Sequence, residues 1–251
     1  MRLRYLVVTA CLAMLTAASA HAGVNLRWNK CFGEGTGVVN RNFACDTNAG
    51  SELLVGSFLS PQTLNNVTRC EAIVDIAVPG TSLPAWWQLG AAGCRNGALS
   101  MDVTMDPTNL ACEDWSGGLA TGSLASYQTG VRGTNTARVI LSSEVPAANA
   151  QMFIAYVEYF LYNLRIQHTA STGANACAGC TTPACIIFSG LNVTRAGTTA
   201  PVTIFSATNA TDSNYSTWQG GGAPTVGGVT GCPAATPTRN TTWGAVKSMY
   251  R

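Results

Sequence analysis

The sequence predicts an all-β fold, an antiparallel two-layer β-sandwich with disulfide-stapled loops. Apolar and polar residues alternate in several segments; at residues 99–106, for example, every second side chain is Leu, Met or Val. Turn-rich stretches such as residues 115–118 and 219–222 separate these segments. The sequence shows no regular alternation of strand and helix segments. Many short strands separated by turn-forming residues favour an antiparallel sandwich.

The same patterns predict further strands along the chain. Residues 71–78 alternate in the same way, with Ala72, Val74, Ile76 and Val78 on one face and Glu71, Ile73 and Asp75 on the other, before a Pro-Gly turn. Other predicted strands are residues 53–59, 138–145, 185–194 and 201–206.

Residues 147–168 are ambiguous because they lack Gly and Pro and carry apolar residues at helical spacing. The second half fits a strand equally well, with Phe160, Tyr162, Leu164 and Ile166 on one face, and its aromatic and β-branched content favours the strand. We therefore predict a short helix or loop near 147–151 and then a long strand. At residues 241–250, apolar spacing of three to four residues predicts a short amphipathic C-terminal helix.

The N-terminus has the pattern of a secretory signal peptide. Two arginines precede a short apolar run that ends in Ala20-His21-Ala22, which predicts cleavage after Ala22. An alternative is lipidation at Cys11, but too few apolar residues precede that cysteine for a signal core. We expect residues 1–22 to be the signal peptide and residues 23–251 to form one sandwich-like domain without a membrane span, secreted or in the cell envelope.

Cleavage leaves a chain with no net charge excess. Loss of Arg2 and Arg4 lowers the basic residues from 14 to 12, equal to the 12 acidic residues, and the basic residues are scattered. A nucleic-acid partner needs a concentrated positive face, so the pattern argues against one. Only 10% of residues are charged, and a surface so poor in charge favours self-association.

Nine cysteines remain after cleavage, and in an exported chain they predict disulfides. Sequence proximity suggests the pairs Cys31–Cys45 and Cys94–Cys112, which leaves four cysteines with three possible connectivities, and Cys70 unpaired. The Cys177-Ala-Gly-Cys180 motif has two alternative interpretations, a zinc site and a redox dithiol, both disfavoured by its context. The disulfide candidates are Cys31, Cys45, Cys94, Cys112, Cys177, Cys180, Cys185 and Cys232.

Two motifs suggest ligands, and each has a structural alternative. Four tryptophans are candidates for an aromatic platform that stacks on sugars: Trp86, Trp87, Trp115 and Trp218. Tryptophans in a sandwich more often fill its core. Asp46, Asn48 and Glu52 supply oxygen atoms at spacings that suit calcium, but they lack the helical calcium-loop pattern and also fit a turn. We predict no metal and no cofactor.

Catalytic groups are few. His168 is the single histidine after Ala22, and no nucleophile-elbow motif accompanies it. Carboxylate pairs at Asp102 and Asp106 or at Glu113 and Asp114 suit glycoside hydrolysis only if they face each other across a cleft. Asp102 and Asp106 lie on the outer side of their predicted strand, where solvated acids are the ordinary occupants.

Several strings resemble those of uncharacterised secreted β-rich proteins of environmental bacteria. They are residues 43–48 (FACDTN), 83–88 (LPAWWQ), 177–180 with Cys185, 218–221 (WQGG) and 242–247 (TWGAVK). The resemblance spans most of the mature chain and implies export and one β-rich unit, but no activity. Cys70 departs from that pattern.

The resulting expectation is an exported, non-enzymatic cell-surface or extracellular β-sandwich that binds carbohydrate or acts as an adhesin, with polysaccharide or cell-surface components as partners. The alternative is an extracellular polysaccharide hydrolase that uses a carboxylate pair. A third hypothesis is a self-assembling surface subunit.

Overall fold

A computed structural model describes residues 23–205 and 213–220. The predicted signal peptide, Cys11, Cys232 and the predicted C-terminal helix lie outside this part of the chain. The described residues form thirteen strands: β1 Gly23–Trp28, β2 Asn40–Arg41, β3 Ser51–Leu59, β4 Leu64–Ala77, β5 Leu99–Asp102, β6 Glu113–Asp114, β7 Thr121–Thr129, β8 Thr136–Glu144, β9 Gln151–Phe153, β10 Glu158–Gln167, β11 Ala184–Arg195, β12 Val202–Ile204 and β13 Tyr215–Trp218. Three short 3-10 helices connect them, at Phe32–Glu34, Ala85–Trp87 and Ala147–Asn149.

The strands form two sheets, which confirms the predicted all-β sandwich. One sheet has the order β1-β3-β10-β5, with β6 also beside β10. The other has the order β2-β13-β11-β4-β8-β7, with β9 on β4 and β12 on β11. Neighbouring strands are antiparallel except β6 with β10 and β2 with β13. No helix in the described residues is both long and apolar enough to cross a membrane.

The core lies between the sheets and is built by the alternation that the sequence shows. In β4, Val74 and Ile76 are fully buried. Val74 faces Val139 of β8 and Phe188 of β11 in the register of the sheet. On the opposite face of β4, Asp75 accepts two hydrogen bonds from Arg138, at 2.8 and 2.9 Å.

Strand β1 closes one side of the sandwich. All six of its residues are buried although it pairs with only β3 within its sheet. The Leu26 amide donates to the Ser213 carbonyl just before β13, at 2.7 Å, and the Ser216 hydroxyl donates to the Leu26 carbonyl at 3.0 Å. The two sheets are therefore joined by hydrogen bonds at this edge.

The ambiguous segment resolves largely as the sequence predicts. A 3-10 helix occupies Ala147–Asn149, and the long strand β10 follows. The predicted common face fails at one point, because a β-bulge interrupts the register between Phe160 and Tyr162. Phe160 consequently packs beside the Cys31 and Cys112 side chains, whereas Tyr162, Leu164 and Ile166 belong to the main core.

Strand β5 is shorter than the alternation at residues 99–106 predicts. It ends at Asp102, where the Asp102 carboxylate accepts a hydrogen bond from the Thr104 amide and begins a turn. This local hydrogen bond replaces the β-ladder hydrogen bonds that would continue the strand, as is common for Asp.

Candidate functional site

Three disulfides join loops that are distant in sequence. Cys31 is bonded to Cys112, Cys45 to Cys180 and Cys94 to Cys177. Cys185 is also disulfide-bonded, and Cys70 is a buried free thiol, as the sequence predicted.

The pairing predicted from sequence proximity is wrong. Cys31 follows β1 of the five-stranded sheet, whereas β2, just before Cys45, belongs to the eight-stranded sheet, so the chain separates these neighbours. Cys94 and Cys112 lie on either side of β5 and form bonds elsewhere.

The Cys177-Ala-Gly-Cys180 motif is neither a dithiol nor a zinc half-site. Each of its cysteines is bonded to a different distant partner. No group of three or more His, Cys, Asp and Glu side chains is placed to hold a metal ion within the described residues.

The predicted aromatic platform is buried, which corrects the sugar-stacking interpretation of Trp86, Trp87, Trp115 and Trp218. Trp86 and Trp87 lie on a 3-10 helix instead of a strand, so both turn inward. Trp86 stacks on Trp218, with ring centroids 4.9 Å apart. Trp115 packs edge-on against Phe153. These tryptophans fill the interior.

A buried arginine covers the Trp86 ring. Arg95 is 2% exposed, and its guanidinium carbon lies 3.6 Å from the ring centroid. The guanidinium donates to the carbonyl oxygens of Thr169, Trp86 and Gln167. Burial lowers the pKa of Arg95 to about 10. Arg95 thus ties the Trp86 turn to the end of β10.

The histidine is also engaged inside the protein. His168 is 7% exposed, and its Nδ1 lies 2.8 Å from the Ala49 carbonyl while its Nε2 lies 3.1 Å from Glu52. Phe43 stacks on the ring at a centroid distance of 3.8 Å. Because both ring nitrogens have partners, the geometry favours a packing role for His168.

The calcium candidates are used in protein contacts. Glu52 forms an ion pair with Arg41 in addition to its contact with His168. The Asn48 side-chain oxygen accepts the Ser171 amide at 2.8 Å and the Thr172 amide at 3.1 Å. Asp46 is exposed. The turn interpretation therefore describes these residues better than a calcium loop.

The candidate catalytic carboxylates stabilise local turns. The Asp106 carboxylate accepts the amide and the hydroxyl of Thr108, and the amide bond lowers the pKa of Asp106. Asp114 accepts the Ser116 amide at 2.9 Å and the Gly118 amide at 2.8 Å, whereas Glu113 is exposed. Such contacts are typical of turn formation.

Glu158 is a partly buried acid that the sequence reasoning missed. It accepts hydrogen bonds from the Phe32 amide at 3.0 Å, the Gly33 amide at 2.8 Å and the Ser57 hydroxyl at 2.5 Å. Burial raises the pKa of Glu158 although these donors oppose the shift. The carboxyl anchors the loop after β1.

An uncharged cleft of about 500 Å³ lies where the β7–β8 hairpin meets the loop after β4. We call it the β7 cleft. It is lined by loop residues between positions 82 and 93 and by hairpin residues between positions 127 and 134, and none of them is Asp, Glu, Lys, Arg or His. Its volume lies within the ~300–1,000 Å³ typical of small-molecule sites. No sequence motif predicted it; the Gly-Ala-Ala-Gly run at residues 90–93 was its only local signal.

The walls of the β7 cleft are fixed. The Tyr127 hydroxyl donates to the Trp87 carbonyl, and the side-chain nitrogen Nε2 of Gln88 donates to the Leu83 carbonyl at 3.1 Å. Gly93 approaches Gln88 so closely that a Cβ at this position would lie 2.0 Å from the Gln88 carbonyl oxygen. Only glycine fits there, which lets the two parts of the loop pack closely together.

Fold and site together define a class: an all-β sandwich whose loops are cross-linked by disulfides and which carries an uncharged surface cleft. Comparison of the chain with protein-family models, with curated proteins and with solved structures finds no match in any of the three. Functional inference therefore depends on the chemistry of the chain itself.

Proposed function

We propose that the protein works outside the cytoplasm as a non-catalytic surface or extracellular module. The observation that carries the proposal is the set of three disulfides, which span 81, 135 and 83 residues of sequence. Structural disulfides persist in oxidising compartments and are rare in the cytosol. The signal peptide predicted for residues 1–22 supports the same location.

The non-catalytic part of the proposal is supported by the contacts of the acid–base candidates. His168 is buried between a carbonyl and a carboxylate. Asp102 and Asp106 each accept a backbone amide two residues further along the chain. A general acid or base must reach a substrate proton, and these groups are already bonded within the protein.

Cell fractionation combined with thiol labelling tests the proposal. The full-length precursor is produced in a bacterial host, and each fraction is alkylated under non-reducing conditions before and after denaturation. We expect the chain in the extracytoplasmic fraction, shortened at its N-terminus, with one thiol that reacts only after denaturation.

The variant Cys70→Ala is the matched control, because it removes that thiol without breaking a cross-link. A full-length chain retained in the cytoplasm with several reactive thiols contradicts the proposal.

A further inference from the structure

We propose that the β7 cleft binds a neutral oligosaccharide, either free or as a short segment of an uncharged polysaccharide. This inference rests on the proposed non-catalytic role outside the cytoplasm. The site differs from the tryptophan platform that the sequence suggested, since those tryptophans are buried. It consists of the loop after β4 and the end of β7.

The cleft presents no charge to a ligand. Tyr127 is its only titratable lining residue, and burial raises the pKa of Tyr127 above its ordinary value, so the phenol is neutral at physiological pH. The nearby cation, Arg95, is buried and bonded to three carbonyl oxygens. A charged ligand therefore finds no side chain of opposite charge in the lining.

The cleft presents both hydrogen-bond donors and acceptors. Within the described part of the chain, the amides of Ala91 and Ala92 and the hydroxyls of Ser82 and Thr129 have no hydrogen-bond partner. The contact from Gln88 to the Leu83 carbonyl uses the amide nitrogen and leaves the side-chain oxygen as an acceptor. A sugar hydroxyl both donates and accepts, which suits this mixture.

The cleft also has an apolar surface suited to the C–H face of a sugar ring. The Tyr127 ring lies beside Gly90, where a Cβ would come within 3.1 Å of the ring carbon Cδ1. The hydrogen bond from Tyr127 to Trp87 holds the ring in place. A fixed aromatic ring beside polar groups lowers the ordering cost of binding.

Two other ligand classes fit the cleft less well. A phosphate or carboxylate can accept from the Ala91 and Ala92 amides and from the Ser82 and Thr129 hydroxyls, but it finds no cation in the lining and gives the Gln88 side-chain oxygen no donor. An extended peptide can add to the β7 edge. At Tyr127, however, a Gly90 Cβ would lie 3.5 Å from the strand carbonyl, so the loop covers the edge at the part of β7 that lines the cleft.

The test uses the full mature chain and four neutral trisaccharides: cellotriose, xylotriose, mannotriose and maltotriose. Binding is measured by NMR titration, with sodium phosphate and an extended polyserine peptide as competing probes. We expect at least one trisaccharide to bind at concentrations on the order of 10 mM or below. We expect neither competing probe to displace it.

Variants locate the site. Ala92→Arg introduces a long charged side chain at an exposed lining position, and we expect it to weaken binding by more than about tenfold. Thr129→Val removes one hydroxyl at nearly constant shape, and we expect a loss of about two- to twelvefold. Thr121→Val makes the same change at the exposed opposite end of β7 and serves as the matched control, with affinity unchanged.

Three results overturn the inference: no trisaccharide binds, Ala92→Arg binds as well as the wild type, or phosphate or the peptide occupies the cleft instead. None of these results changes the outcome of the fractionation experiment. Failure of the oligosaccharide site is therefore distinguishable from failure of the proposed extracytoplasmic role.

Discussion

Removal of the Cys45–Cys180 bridge is expected to lower the free energy of unfolding by about 4 kcal/mol. The bridge spans 135 residues of sequence, and the chain-entropy relation for an isolated loop of that length gives about 5 kcal/mol at 25 °C. In the unfolded chain the other two bridges remain closed and already shorten the connection between Cys45 and Cys180. A path through Cys31–Cys112 and Cys94–Cys177 joins these cysteines over only about 35 residues of chain. The smaller loop gives the figure of about 4 kcal/mol.

The assay is urea unfolding of the double variant Cys45→Ala/Cys180→Ala, followed by fluorescence of the buried tryptophans. The expected loss corresponds to a fall in Tm of roughly 8–16 °C for a chain of this size. The slope of the unfolding free energy against urea should also rise, because the unfolded chain becomes less compact.

Cys70→Ala is the control, since it removes a buried sulfur without a cross-link, and it should cost only about 1 kcal/mol. A double variant within about 1 kcal/mol of the wild type would refute the reasoning. A large loss of stability with an unchanged slope against urea would show that the bridge acts on the native state and not on the unfolded chain.

Three further predictions concern the interior and the effect of pH. Tyr162→Phe should raise the free energy of unfolding by about 1 kcal/mol in urea unfolding, because the buried Tyr162 hydroxyl has no partner among the described residues; a loss of stability contradicts this. Gly56→Ala should cost about 1–3 kcal/mol in the same assay, since its Cβ would lie 2.3 Å from the Tyr162 ring; a neutral effect would show that the ring can move. Because burial raises the pKa of Glu158 above the ordinary 4.5, its contribution to stability is complete below pH 4.5 and is lost as pH rises through the folded-state pKa. Glu158→Gln should remove this loss of stability with rising pH from a pH series of unfolding curves. Asp106→Asn should have the opposite signature: the pKa of Asp106 is lowered from 3.8, so the variant should lack a stabilisation that is present above pH 3.8 and lost at lower pH.

Local alternation was sufficient to predict the central strands. Strand β8 was found from residues 138–145 because it buries one face, and β11 was found from residues 185–194, a largely buried run rich in β-branched residues. Strands β1 and β7 gave no such signal, for opposite reasons. Strand β1 is buried on both faces, whereas β7 is a largely exposed edge strand made mostly of hydroxyl and small residues.

The disulfides and the β7 cleft depend on tertiary topology and were not predictable from local patterns. Cys45 reaches Cys180 only because β2 and β11 lie on either side of β13. The cleft forms where residues near position 90 meet residues near position 127, and no sequence spacing encodes that contact. The free state of Cys70 was predictable because its position in a regular strand favours a buried thiol.

Four charged residues in the described part of the chain are buried, Arg27, Glu52, Asp75 and Arg95, and their partners help to specify the interior. Glu52 and Arg41 form one internal tie, and Asp75 with Arg138 forms another. Arg95 bonds only carbonyl oxygens. Removal of one partner leaves a buried charge or carbonyl without its hydrogen bond, so each contact favours one arrangement of the strands or loops that it joins. The rest of the surface depends largely on hydroxyls and amides for its polarity, and the proposed oligosaccharide site in the β7 cleft combines such groups with the Tyr127 ring.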